Sequence, residues 1–526
     1  MNPSSPPGQP SPPGADAVLI HALQALLQAQ SQASTGQPVR LIETHISWVL
    51  LAGEQAYKLK KPVRLPFVDF STLALRRHFC EEEQRLNQRL APQLYLGVQA
   101  ITGTPEAPAL GGQGPAIEYA VSMRRFAPGA LLSERLAAGV LGAEELQGLA
   151  QRVGQFHQQA AVAHPGQGWG QPQQIEQAAL KVLAQLQAAL GEAPVAALRR
   201  WMQAQALVLA PVWQTRLEQG WVREGHGDLH LNNCVLTEEG ATGFDCIEFD
   251  PALRWIDVMS DLGFLTMDLH AHGRPDLAAG VLDHYLQQTG DCGGLAVLRF
   301  YEVYRALVRA LVTTLSPPQP GAPDYLACAH ALSLGPPGGP RLLITLGLSG
   351  SGKSTVAAQL LQATGAVRLR SDVERKRLFG LQALQRSEAL GLSLYTPEAT
   401  RRTFDRLHEQ AATALRAGWP VVVDAAFLRR GERDRFQALA RSLGLPFGVL
   451  HCHCDPALMR SRIEARQARG DDASEATPEV LQSQLKGPGG PEADELPWVL
   501  SVDTTEPLGP ADIAALARRW QGQRSP

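Results

Sequence analysis

The chain has 526 residues, 44% of them hydrophobic and 19% charged, and its 48 Lys and Arg against 51 Asp and Glu leave a net charge of −3 at pH 7. This supplies apolar material for at least two large cores and excludes a mainly disordered chain. The near-neutral balance gives no support to a nucleic-acid or anionic-membrane binder. No apolar run reaches membrane-spanning length, and seven cysteines without small-scaffold spacing fit a reducing compartment, so the cytoplasm is the expected location.

Residues 1–16 are rich in Pro, Ser and Gly and are expected to be disordered. An Ala/Leu/Gln pattern at helical spacing over 17–33 predicts a helix. HISWVLLAG and EQAYKLKKPVRL, within 40–70, read as two short strands joined by a turn at Gly53. Residues 71–90 return to helical periodicity, with Ser71 as the N-cap. Strands are expected at 94–101 and 116–126, and helices over 131–218. Short strands around a polar loop follow at 223–250, and helices again over 255–334. SPPQPGAP (316–323) interrupts that last stretch and LGPPGGP (334–340) ends it. A linker is therefore set at 335–340, between domains 17–334 and 341–526, with the parts on either side expected to fold alone.

The linker leads into an apolar strand, a Gly-rich turn and a helix. Gly347-Leu-Ser-Gly-Ser-Gly352-Lys353-Ser354 matches the phosphate-loop pattern in full. Glycines such as Gly347, Gly350 and Gly352 let backbone N–H groups curl around phosphate oxygens, with Ser349, Ser351 and Thr355 completing the cradle. The helix N-terminus adds its positive dipole end. Lys353 is expected on the β/γ-phosphates and Ser354 on Mg²⁺. Seven of the 48 basic residues are Lys, and one stands in this motif.

Other residues of this region point to a kinase. Asp372 and Arg375 lie one helical turn apart, suited to accepting a hydroxyl proton and holding the acceptor; the alternative for Asp372 is a helix cap. Asp424 ends the apolar strand of WPVVVDAAF and suits the Mg²⁺ shell or the acceptor site, or else is structural. Arg460, Arg462, Arg466 and Arg469 fall on a predicted helix before the polar stretch GDDASEATPE, and Arg462 and Arg466 share a face. Such a helix and loop suit a lid over the transferring phosphoryl group, or a solvated basic face. HCHC (451–454) reads as strand packing, because alternation sends its His and Cys pairs to opposite faces. With GLSGSGKST, RSDVERKR, VVVDAAF, RSRIEARQARGDDASEA and VDT (502–504), residues 341–505 resemble the small P-loop kinases related to gluconate kinase and adenylylsulfate kinase. The resemblance implies an α/β P-loop NTPase fold with a parallel sheet, ATP as donor and a small hydroxyl compound as acceptor.

The N-terminal part carries a second constellation. His226-Gly227-Asp228 is followed by Asn233, and then by Asp245 in GFDCIE. Asp228 is placed to accept a substrate hydroxyl proton, with Asn233 and Asp245 holding Mg²⁺ against the ATP phosphates. The order resembles the catalytic and metal-binding loops of the aminoglycoside phosphotransferase family, over about residues 40–330. That resemblance implies an α+β protein-kinase-like bilobal fold. It also implies a strand Lys paired to a helix Glu. Lys58 is chosen over Lys60, which shares its face, and Glu83 over Glu81 and Glu82, because Glu83 continues the stripe of Leu86 and Leu90. Strand 118–123, ending in Met123, would contact adenine, and Asp257 would brace the catalytic loop. The usual glycine-rich loop is reduced to Gly53, and His230 and Cys234 read as packing residues. The whole is similar to bifunctional proteins that fuse such a phosphotransferase to a P-loop kinase.

The leading expectation is a two-domain, ATP- and Mg²⁺-dependent phosphotransferase acting on small-molecule hydroxyls, without nucleic-acid or membrane partners. One alternative is a silent N-terminal domain that binds a ligand and regulates the P-loop kinase. Another is nucleic-acid end processing by the P-loop domain, opposed by the lack of a basic stripe with interleaved aromatics.

Overall fold

The computed structural model describes residues 14–34, 36–65, 68–317, 320–387, 394–487 and 490–523. Most of the expected N-terminal tail, residues 1–13, lies outside them. Ala15 and Asp16, expected in that tail, instead begin helix α1 (Ala15–Ser34). The chain divides into two compact units: 1–140 with 226–228 and 232–254, and 141–225 with 229–231 and 255–526.

The first unit is built on a six-stranded antiparallel sheet. Its strands are β1 (Arg40–Glu43), β2 (Ser47–Ala52), β3 (Gln55–Lys60), β4 (Tyr95–Thr104), β5 (Ala107–Leu110) and β6 (Ala116–Arg124), in spatial order β1-β2-β3-β6-β4-β5. Gly53 turns β2 into β3 at φ 54°, a left-handed value that favours glycine. Strand alternation gives β3 two faces. Tyr57 and Leu59 pack with Leu19, Ile20, Leu23 and Leu27 of α1. Lys58 and Lys60 point instead toward Glu83 on α2 (Leu73–Asn87). The N-cap of α2 is Thr72, not Ser71: the extended Thr72 backbone turns its hydroxyl onto Leu75 N–H, while Ser71 bonds Asp69. A short hairpin, β7 (Cys234–Thr237) and β8 (Gly240–Gly243), separates the two loops of the N-terminal constellation.

The second unit combines helices with a parallel sheet. Strands β9 (Leu342–Leu346), β10 (Val367–Arg370), β11 (Val421–Asp424), β12 (Phe447–His453) and β13 (Val499–Asp503) run in order β10-β11-β9-β12-β13. Strand β9 is buried throughout, as a parallel strand covered on both faces must be. Helix α3 (Val258–Ala271) is almost wholly buried beside α4 (Pro275–Thr289) and α5 (Leu295–Leu315). Ala279 of α4 joins the core formed by Leu343, Val356, Leu360, Val422, Leu450 and Trp520. Trp419 donates its indole N–H to Leu295 O at 3.0 Å. The sequence patterns on either side of 335–340 thus pack together within one unit.

Candidate active sites

At the P-loop, β9 feeds the turn 347–352 and helix α6 (Lys353–Thr364) leads out. Gly350 and Gly352 take φ of 81° and 80°, and a Cβ on Gly350 would meet Met459 O at 2.4 Å. Lys353 Nζ donates to Leu348 O at 2.7 Å. Burial holds this ammonium below its ordinary pKa, against the smaller opposite effect of Asp424. Ser354 Oγ lies 3.1 Å from Asp424 Oδ1, while Asp424 Oδ2 is buried with no hydrogen-bond partner. Thr504, the end of the late VDT segment, donates to Ser351 O at 2.9 Å and so anchors the loop.

These groups line a cavity of about 870 Å³ together with Asp372, Arg375, Tyr395, Phe404, Phe427, Arg462 and Arg466. The volume falls within the range of small-molecule sites. Asp372 stands in the first turn of α7 (Ser371–Leu378), whose N-cap residue is Arg370. Arg375 donates to Leu394 O at 3.0 Å and lies 5.0 Å from the Tyr395 ring centroid, and its Nε is buried without a partner. Arg462 donates to Thr504 O at 2.6 Å, and Arg466 to Ala476 O at 3.3 Å. Arg469 pairs instead with exposed Asp471. His451 and His453 lie side by side on one face of β12, their rings tilted by 43°, with Cys452 buried on the other. No group of three His, Cys, Asp or Glu able to hold a metal occurs among the described residues.

In the first unit, Glu83 receives both candidate lysines. Its Oε1 accepts from Lys58 and its Oε2 from Lys60, each at 2.8 Å. Lys58 also donates to Asp245 at 2.6 Å, and Lys60 to Glu248. Glu81 and Glu82 lie outside this chain, paired to Arg77 and to Arg85 and Arg254. Burial alone would lower Lys58, but the Asp245 and Glu83 carboxylates outweigh it and hold Lys58 well above its ordinary value. Burial alone would raise Glu83, but the two lysines pull it down to about 2. Met123 pairs with Ala56 and Tyr95 in the ladder, so its main chain serves the sheet.

The catalytic-loop candidates are held by their own neighbours. Asn233 Nδ2 donates to Asp228 Oδ2 at 2.9 Å and to Asp228 O at 3.0 Å. Asp228 N–H donates to His226 Nδ1 at 3.2 Å, so the neutral ring carries its proton on Nε2 and donates it to Phe244 O at 2.8 Å. His226 thereby ties the Asp228 loop to the Asp245 loop. Asp245 has φ 64°; it and Phe427 are the two non-glycine residues with positive φ among the described residues, and each stands at one candidate site. Asp257 is buried against Arg216, which also binds Asp291. The acid that holds the backbone of this candidate loop at Leu231 is Asp268, which accepts from Leu231 N–H at 3.0 Å and from the Tyr325 hydroxyl at 2.8 Å. Asp268 escaped the sequence reading, and His226 was named in the motif before Gly227-Asp228 without a role.

Strand order and loop geometry define the class: an α+β unit on a six-stranded antiparallel sheet, and an α/β region with a P-loop and a five-stranded parallel sheet. A family model described as an AAA domain matches residues 342–488. Uncharacterized proteins of Mycobacterium bovis and Mycobacterium tuberculosis are 28% identical over 449 residues, which cover 82% of this chain and 87% of theirs. Among solved structures, a gluconokinase from Sinorhizobium meliloti is 25% identical, with TM-score 0.27, covering 35% of this chain and 91% of that one. A choline kinase from Cryptosporidium parvum is 9% identical, with TM-score 0.37, covering 59% of this chain and 93% of that one. No helix among the described residues is long and apolar enough to cross a membrane.

Proposed function

We propose that the chain is an ATP-dependent phosphotransferase with two phosphoryl-transfer sites, each handing the γ-phosphoryl group to a hydroxyl of a small molecule. The observation that carries this reading is that one cavity of about 870 Å³ is lined both by Lys353 and Ser354 and by Asp372 and Arg375. Donor and acceptor groups converge there. The acceptor oxygen attacks the γ-phosphorus and its O–P bond forms as the β,γ-bridging bond breaks. That bond's electron pair leaves with ADP, and the hydroxyl proton passes to Asp372. Lys353 neutralises the β/γ-phosphates, Arg375 orients the acceptor, and Arg462 and Arg466 offset charge from the lid side. Ser354 Oγ and Asp424 Oδ2, which has no hydrogen-bond partner, are hard oxygen donors that would hold Mg²⁺. Bound there, Mg²⁺ offsets phosphate charge.

Residues 17–334 are assigned to an aminoglycoside phosphotransferase-like domain and 341–526 to a P-loop kinase domain. In the first, Asp228 takes the hydroxyl proton, Asn233 and Asp245 would hold Mg²⁺, and Lys58, fixed by Glu83, meets the phosphates. The left-handed backbone at Asp245 supports a functional role, because such strain persists where a site demands it. One observation favours a second reading, in which this domain binds a ligand without catalysis: Lys58 already pairs with Asp245.

The test measures phosphoryl transfer from ATP to a panel of small hydroxyl compounds by the full chain carrying Asp228→Ala. Adding Lys353→Ala is expected to cut the remaining transfer by about 10²–10³-fold, the scale of losing one preorganised transition-state donor. Unchanged transfer would remove the P-loop from the reaction.

A further inference from the structure

Helix α4 belongs to the kinase-like part of the sequence, yet it reaches the P-loop site. Asp283 and Gln287, one turn apart on α4, face Arg368 and Arg370, which share one face of β10. Asp283 accepts from Arg368 Nη2 at 2.7 Å and Nε at 3.2 Å. Gln287 Oε1 accepts from Arg370 Nη1 at 3.2 Å, and Gln287 Nε2 donates to Asp283 Oδ2 at 2.6 Å. A helix pair spaced i,i+4 thus grips a strand pair spaced i,i+2. Asp283 and Arg368 are both buried.

The far sides of the two arginines touch the phosphate machinery. Arg368 Nη1 donates to Ser354 O, in the first turn of α6, at 3.1 Å. Arg370 Nη2 donates to Asp472 in the lid stretch at 2.8 Å. Arg370 Nε stands 3.6 Å from Asp424 Oδ2, the buried oxygen that has no hydrogen-bond partner.

We propose that Asp283 and Gln287 are positioning residues of the P-loop site, holding Arg368 and Arg370 so that Asp424 Oδ2 stays open to a divalent cation. The inference rests on the P-loop reading given above. An arginine is charged at every working pH, so near a metal carboxylate it competes with the metal. Gln287 and Asp472 hold Arg370 just beyond hydrogen-bonding distance of Asp424. Without Gln287, the guanidinium closes from its 3.6 Å ion pair into a hydrogen bond with Asp424 Oδ2, and the cation must displace it. The phosphate cradle itself, Lys353 and the loop amides, is untouched.

The experiment titrates ATP into the full chain by calorimetry, once with Mg²⁺ and once with a chelator. All variants carry Asp245→Ala, which removes the proposed metal carboxylate of the other site. Gln287→Ala is expected to weaken Mg-ATP binding about tenfold, the size of one hydrogen bond to a charged group, and to shift metal-free ATP binding less than about twofold. Asp283→Asn should move the same ratio in the same direction. Because it breaks a buried pair and endangers folding, Gln287→Ala, which leaves the Asp283–Arg368 pair intact, is the deciding variant. Added to Arg370→Met, Gln287→Ala should have no further effect, since no competing cation remains. Unchanged Mg-ATP binding in Gln287→Ala, or equal losses with and without Mg²⁺, overturns the inference. If Lys353→Ala binds Mg-ATP as tightly as its parent, the P-loop reading fails instead.

Discussion

The two candidate sites keep their lysines in opposite states. In the kinase-like unit, Lys58 and Lys60 share Glu83, and Asp245 and Glu248 complete the chain of ion pairs. Their charge is already compensated, and both lysines are held above their ordinary pKa. At the P-loop, Lys353 has a main-chain carbonyl as its partner, and burial lowers its pKa. The difference teaches how each site would meet a nucleotide. The P-loop offers a desolvated cation that gains directly from an incoming phosphate. On the proposed reading, the first-unit site would have to release Lys58 from Asp245 before both could serve Mg-ATP. On that reading one site would be poised for its anion and the other would exchange partners.

The sharpest way to break this comparison is to remove the shared acid. Glu83→Gln leaves Lys58 and Lys60 facing a neutral amide, and breaking a buried pair costs about 3–5 kcal/mol. Amide exchange over 55–60 and 73–87 should accelerate accordingly, and Lys58→Met, which leaves Glu83 paired with Lys60, should cost less. Equal effects would contradict a shared acid. The pH dependence carries a sign. Glu83 lies below its ordinary value of 4.5, so its stabilisation is present above pH 4.5 and is lost as pH falls toward about 2.

A smaller effect sharpens the P-loop side. Because Lys353 is lowered from 10.5 and phosphate would restore its charge, ATP binding just below pH 10.5 should take up protons. Binding enthalpies in buffers of different ionisation heat measure this uptake. Lys353→Met should abolish it, and an uptake that survives the substitution would assign it elsewhere.

Many of the residues at the two sites were legible in the sequence, for identifiable reasons, but the opposite states of their lysines were not. The phosphate loop needs glycines and a lysine at fixed spacing, so Gly350, Gly352 and Lys353 could be named before any fold was known. Asp228, Asn233 and Asp245 lie on short loops where local spacing is itself the signal. The choice between Lys58 and Lys60 was not legible, because period-two alternation puts both on one face, and Glu83 binds both. Nor were Asp268, Asp283 or Gln287. Asp268 meets Leu231 across 37 residues and Asp283 meets Arg368 across 85, so no local pattern marks either contact. The N-cap moved from Ser71 to Thr72 because neighbouring hydroxyls compete, and backbone angles decide between them.

The most direct measurement compares Asp228→Ala with Asp245→Ala in a full chain whose P-loop is silenced by Lys353→Ala. Mg-ATP affinity is read by calorimetry and phosphoryl transfer by product formation. Asp228→Ala should lose about 10²–10⁴-fold in transfer rate with nucleotide affinity nearly intact, because a general base acts on the acceptor. Asp245→Ala should lose Mg-dependent affinity itself, because its carboxylate would hold the ion that bridges the phosphates. A Lys353→Ala parent that shows no Mg-dependent ATP binding would contradict a second phosphoryl-transfer site.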